Sequence, residues 1–262
     1  MSRVRPPAVA GLFYPDEPLE LHNEVDRLLR EALPIRGNPP RAMIQPHAGY
    51  PYSGPVAATG YRLLREARPA VARVVILGPN HTMPYDAIAV SGSDAWETPL
   101  GEVTVDAHLR DHIDDAPLVT VDDRPHQREH AIEVQLPFLQ RVLEPGWMLL
   151  PLVVGECSAG SVATVIDRCW DADTLIIVSS DLSHYHSYNE ARRIDEITVE
   201  EIVVRSVSAI DGRRACGAHP IRGLLSSRHL TELDVSVLDV RNSGDTTDSH
   251  HRVVGYASIV FC

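Results

Sequence analysis

Lysine is absent: all 24 basic side chains of this 262-residue chain are arginines. A Walker-type phosphate loop needs its lysine, and Schiff-base or pyridoxal-phosphate chemistry needs a lysine amine. Both are excluded. Positive charge is also scarce, with 36 carboxylates giving a formal net charge of −12. Affinity for a phosphate backbone comes mainly from clustered positive charge, so no nucleic-acid partner is expected. No apolar run approaches the ~20 residues of a membrane span, and no membrane association is expected. The opening residues carry charge without a hydrophobic stretch behind them, unlike a secretory signal. The four cysteines, Cys157, Cys169, Cys216 and Cys262, show no paired spacing and no CxxC. That pattern suits free thiols in a reducing compartment, so a cytoplasmic location is expected.

What is present reads as an ordinary globular chain, with 44% apolar and 23% charged residues. Short β-branched runs predict strands at 41–45, 73–78, 86–91, 147–154, 174–180, 235–240 and 253–261. Amphipathic stretches predict helices near 17–32, 55–67, 129–143, 158–170, 188–210 and 216–229. Strands that are nearly all apolar, alternating with helices, imply an α/β fold with a mostly parallel sheet covered on both faces. Pro39-Pro40 and Glu144-Pro145-Gly146 read as turns rather than linkers, and no internal repeat interrupts the pattern. Residues 1–262 are therefore expected to form a single α/β/α domain.

Histidine carries most of the chemical information. The first strand runs into Pro46-His47-Ala48-Gly49-Tyr50 and the second into Gly78-Pro79-Asn80-His81. The strand at 174–180 runs into Asp181-Leu182-Ser183-His184. Ligands of open α/β sheets bind beyond the carboxyl ends of the strands. A single loop histidine would more often be a satisfied polar residue, but three at equivalent strand ends point to a site.

Two further segments qualify. His130 and Glu133 are three apart and would share one face of a predicted helix. That spacing serves either helix-end electrostatics or a common site. Cys216 precedes a predicted helix, whose N-terminus would favour a thiolate, although an isolated cysteine more often packs in a core. Cys169, beside Trp170 in a helical stretch, reads as core. Two histidines and one thiolate would leave a coordination position open, and the ligand types suit iron, copper or zinc.

Together these segments resemble the Memo-like family, whose bacterial members are called system protein B of the AmmeMemoRadiSam group. The resemblance starts at Pro7-Ala8-Val9-Ala10-Gly11-Leu12-Phe13-Tyr14-Pro15 and takes in the segments around His47, His81, Glu129-His130 and Asp181 to His184. It continues through Cys216-Gly217, Ser243-Gly244-Asp245 and Val253-Val254-Gly255-Tyr256, in order along essentially the whole chain. It implies a fold like that of class III extradiol dioxygenases, with metal ligands His47, His81 and Cys216. In those dioxygenases a glutamate replaces the cysteine, so the resemblance does not imply ring cleavage. It places the acid-base histidine at His184 with Asp181 beside it, and His130 and Glu133 around the pocket.

Three functions follow. The first is an iron- or copper-dependent redox enzyme in which His184 shuttles a proton. Asp181 or Glu133 would set its tautomer, and Tyr50 would donate to oxygen or a small organic substrate. The second is a zinc hydrolase on the same ligands, with His184 or Glu133 as general base. The third is a metal carrier or interaction module that keeps the pocket without the chemistry. The group name implies a radical-SAM partner protein.

Overall fold

The computed structural model describes residues 3–67, 70–247 and 249–262. Its first half runs β1 (Val4–Arg5), α1 (Pro18–Glu31), β2 (Ala42–Gln45), α2 (Tyr50–Ala67), β3 (Arg73–Pro79) and β4 (Ile88–Val90). Next come β5 (Ala95–Thr98), β6 (Gly101–Thr104), α3 (Ala107–Ile113), β7 (Val119–Val121), α4 (Leu136–Val142) and β8 (Met148–Val154). The remainder is α5 (Ala159–Cys169), β9 (Thr174–Ser179), β10 (His184–His186), α6 (Tyr188–Val203), α7 (Ala218–Ser226), β11 (Val235–Asn242), α8 (Ser243–Thr246) and β12 (Val253–Phe261).

The large sheet has the order β10-β12-β2-β9-β3-β8-β4-β7, with β11 also paired to β12. Its centre, β2-β9-β3-β8, is parallel throughout, and the antiparallel ladders lie toward both sides. Alternating residues of the central strands face opposite ways. Ile44, Val75, Leu77, Ile176 and Val178 join a core with α5, α6 and α7. Met43, Val74, Ile76, Leu175 and Ile177 join another with α1, α2 and α4. This is the double-sided burial expected of nearly all-apolar parallel strands. No helix among the described residues is long and apolar enough to cross a membrane.

Several boundaries differ from expectation. Helix α2 begins at Tyr50, so that Pro55 lies inside it and leaves one ladder bond unmade. The predicted helix over 129–143 shrinks to a 3-10 turn at Glu133–Gln135 followed by α4. The helix predicted over 188–210 ends at Val203, and Arg205 beyond it has φ 56°, a left-handed conformation incompatible with continuation. The β5-β6 hairpin, α3 and β7 occupy a stretch where the sequence pattern showed no element.

The hairpin belongs to a small sheet, β1-β5-β6, that ties the N-terminal segment to the main body. Arg5 lies 4.0 Å above the Trp96 ring, and its Nε donates to the His126 carbonyl at 2.8 Å. The His126 ring meets Trp96 edge-on, and its Nε2 donates to the Ala89 carbonyl at 3.1 Å. Burial pushes this imidazole down to about 4, so it stays neutral in the fold. An unfolded chain binds the proton near pH 6.5, so His126 contributes stability above that value which is lost as pH falls toward 4. His126→Gln keeps an N–H donor for Ala89 and removes the titration. Urea unfolding at several pH values should show the acid-side slope of stability against pH reduced by about one bound proton.

Candidate metal centre

Three adjacent parallel strands place the site. His47, His81 and Asp181 each stand two residues beyond the carboxyl end of β2, β3 and β9 respectively. Cys216 arrives from the other side of the chain, just before α7. Its neighbour Gly217 lets that helix start against β9, because a Cβ there would meet the Ser180 Cβ at 2.6 Å. Gly217 N donates to Ser180 Oγ at 2.9 Å, and Cys216 N donates to the Asp181 carbonyl at 3.3 Å. The donor atoms of His47, His81 and Cys216 all lie within 4.8 Å of one another, and His47 Nε2 is 3.3 Å from Cys216 Sγ.

The surrounding hydrogen bonds fix which nitrogen of each ring is free. Ser179 Oγ donates its only proton to the Ala131 carbonyl at 2.6 Å and accepts from Gln135 Nε2 at 2.8 Å. Nδ1 of His47, 2.9 Å from the same oxygen, must therefore be a donor, which leaves the Nε2 lone pair for the cluster. His81 is held in the same sense, with Nδ1 2.9 Å from Glu129 Oε1. Glu129 is fully buried yet accepts also from the backbone N–H groups of His81, His130 and Ala131, at 2.7, 2.9 and 3.0 Å. Burial alone would raise its pKa, but the His81 bond and charge with the backbone donors bring it down to about 2.

The imidazoles respond differently. Burial pushes His47 down to about 3 and His130 to about 4. For His81 the Glu129 carboxylate outweighs desolvation, and its pKa rises. Burial also pushes the Cys216 thiol well above its ordinary value, with the Asp181 charge adding to the shift. The Gly217 backbone N–H at the start of α7 acts in the lowering sense expected of a helix N-terminus, but burial outweighs it. A bound cation would ionise this sulfur. The residues fit such an ion: two neutral-capable imidazoles with free Nε2 atoms converge on a thiol, and each ring is oriented from behind.

The histidines open onto a cleft of about 500 Å³, walled by Phe13, Tyr52, Tyr185 and Tyr256 and lined also by Asp181 and His184. Asp181 Oδ1 accepts from His47 N at 2.7 Å and Ala48 N at 3.3 Å, holding the β2 exit in place. The His130 ring stacks on His81 at 4.9 Å, stands edge-on to His47 at 5.3 Å and packs against Phe13 at 4.6 Å.

Two expected site residues lie elsewhere. Tyr50 is buried, and its hydroxyl donates to the Val134 carbonyl at 2.8 Å, so it presents no donor to the cleft. Glu133 turns away from His130 because residues 129–132 are not helical. Its carboxylate accepts from Arg5 Nη1 at 2.7 Å, Tyr14 Oη at 2.6 Å, and the N–H groups of Ala8 and Val9 at 2.8 and 3.0 Å. Glu133 thus anchors the N-terminal arm that carries Phe13 to the cleft. The residues that orient the rings, Glu129, Ser179 and Gln135, were not expected in that role. Glu129 offered one signal, its adjacency to His130. Glu133→Ala would leave the Arg5 guanidinium buried without its partner. Equilibrium urea unfolding should register a loss of ~3–5 kcal/mol, the scale for breaking a buried pair.

Comparison with known proteins identifies the family. The family described as Memo-like protein matches residues 5–260. A MEMO1 family protein of Aquifex aeolicus is 39% identical, covering 99% of both chains. One from Methanosarcina mazei is 37% identical over 98% of both, and one from Saccharolobus solfataricus 33% over 98% of this chain and 99% of its own. With a match that runs from β1 to β12, this chain belongs to the Memo-like family.

Proposed function

We propose that this protein is a metal-dependent redox enzyme in which His47, His81 and Cys216 hold one iron or copper ion. The supporting observation is the commitment of both Nδ1 atoms, to Ser179 and Glu129, which leaves both Nε2 lone pairs free in a group whose donor atoms lie within 4.8 Å of one another. Two imidazoles and a thiolate suit iron, copper or zinc, with sulfur favouring the softer ions. When bound, iron or copper supplies Lewis acidity and a one-electron couple.

The protein's own groups do the rest. Phe13, Tyr52 and Tyr256 form apolar walls that exclude water and favour a small organic substrate with a flat or aromatic portion. His184 faces that substrate and moves a proton to or from it, with Asp181 beside it. His130, kept neutral by burial, accepts or donates a hydrogen bond at the cleft wall without changing charge near neutral pH.

The deciding measurement is the metal content of untagged protein purified without oxygen, for wild type and for Cys216→Ser. One iron or copper per chain, lost in the variant, is the expected result. Zinc in its place would redirect the chemistry to hydrolysis by a polarised water. A chain that retains no metal after reconstitution would overturn the enzyme and leave the pocket to a binding role.

A further inference from the structure

The three donor atoms are approached from two directions. His47 and His81 line the aromatic-walled cleft. Cys216 lines a different cleft of about 250 Å³, formed with Asn80, Met83, Glu156 and His219. Since the donors lie within 4.8 Å of one another, an ion held among them borders both spaces.

The second cleft contains donor atoms that the fold does not use. His219 Nδ1 lies 2.9 Å from the Cys157 carbonyl oxygen. A carbonyl can only accept, so Nδ1 carries the hydrogen and Nε2 keeps a lone pair. That Nε2 has no hydrogen-bond partner among the described residues. Met83 also lines this cleft, and its thioether is a soft ligand that suits copper(I) better than a hard cation. Glu156 is exposed at the same cleft, and the net charge of −12 raises the local concentration of cations. The other cleft differs in carrying four Phe and Tyr side chains beside its histidines.

We propose that this second cleft is a transit site for a soft or borderline transition-metal cation, which His219 Nε2 and Met83 Sδ receive from solution and pass to Cys216. The inference rests on the metal reading above and adds to it a route separate from the substrate's. In the transfer the bonds to His219 Nε2 and, for an ion that takes it, Met83 Sδ break, a bond to Cys216 Sγ forms, and the thiol proton leaves to solvent. No electron moves. Loading therefore proceeds with the aromatic cleft occupied or empty.

Cobalt(II) added to metal-free protein tests this in a stopped-flow instrument, because thiolate-to-cobalt charge-transfer absorption reports arrival at Cys216. His219→Asn keeps an N–H close to the Nδ1 position for the Cys157 carbonyl and deletes the Nε2 donor. It should slow arrival by about tenfold or more, the scale seen for loss of a group supporting a metal site, with the final cobalt content unchanged. Met83→Leu, close to volume-conserving, gives an independent arm. It should slow uptake of copper(I) from a coloured chelate while leaving cobalt uptake at the wild-type rate. Wild-type rates in both variants would overturn the transit site. A reduced final cobalt content in His219→Asn would make His219 a permanent ligand and overturn it equally. Wild-type protein that never develops the cobalt band would overturn the metal reading itself, a result distinct from any change in rate.

Discussion

The buried carboxylate of Glu129 organises the site more than any other group. An ionised carboxylate taken out of water costs several kcal/mol unless its oxygens are fully satisfied. Here one side chain accepts from the His81 ring and from three backbone N–H groups on two different segments. Residues 129–132 consequently leave the helical path that their sequence favours. The exit of β3 and the approach to α4 are fastened to each other, and His81 and His130 come to lie face to face. The carboxylate thereby fixes the tautomer of one ring and the stacking of another.

That constraint explains which parts of the site could be read from the sequence. The apolar strands and the histidines beyond them were legible because a parallel sheet exposes its carboxyl ends to one side. His47, His81 and Asp181 follow β2, β3 and β9 at the same interval. The pairing of His130 with Glu133 was a helical inference, and it failed where the helix gave way to Glu129. Tyr50 failed for a related reason: as the first residue of α2 it is drawn inward to the Val134 carbonyl. Ser179 and Gln135 carried no signal, since a strand serine and a buried glutamine become ring-orienting groups only through contacts distant in sequence. The hairpin, α3 and β7 between residues 95 and 121 lay in strand and helix patterns too short to register.

Glu133 occupies a different level of the same construction. Its four donors come from residues 5 to 14, so its charge is balanced by the N-terminal arm rather than by the cluster. Arg5 in turn reaches the carbonyls of His126 and Glu129. The arm thus joins the small sheet, the segment that carries Glu129 and the wall of the cleft into one connected set. Phe13 marks where that connection meets the site: its ring packs on His130, and its carbonyl accepts from Tyr50 N at 2.8 Å. The contact between aromatic wall and imidazole depends on a carboxylate that faces the other way.

The two sides of the cluster differ in chemistry for reasons already present in the fold. On the strand-exit side, Nε2 atoms of defined orientation face an aromatic cleft, an arrangement suited to selecting and orienting an organic molecule. On the α7 side lies a thiol that burial keeps protonated, near an imidazole and a thioether. A cation that binds a thiol releases the sulfur's proton as the bond forms. A neutral imidazole with a free lone pair binds without that release. An ion held briefly at His219 would lower the barrier at Cys216 simply by bringing positive charge near the sulfur, which favours loss of its proton. The burial that makes Cys216 a stable ligand after loading thus makes a preceding docking point useful, and the cleft beside it supplies donors of the right kind.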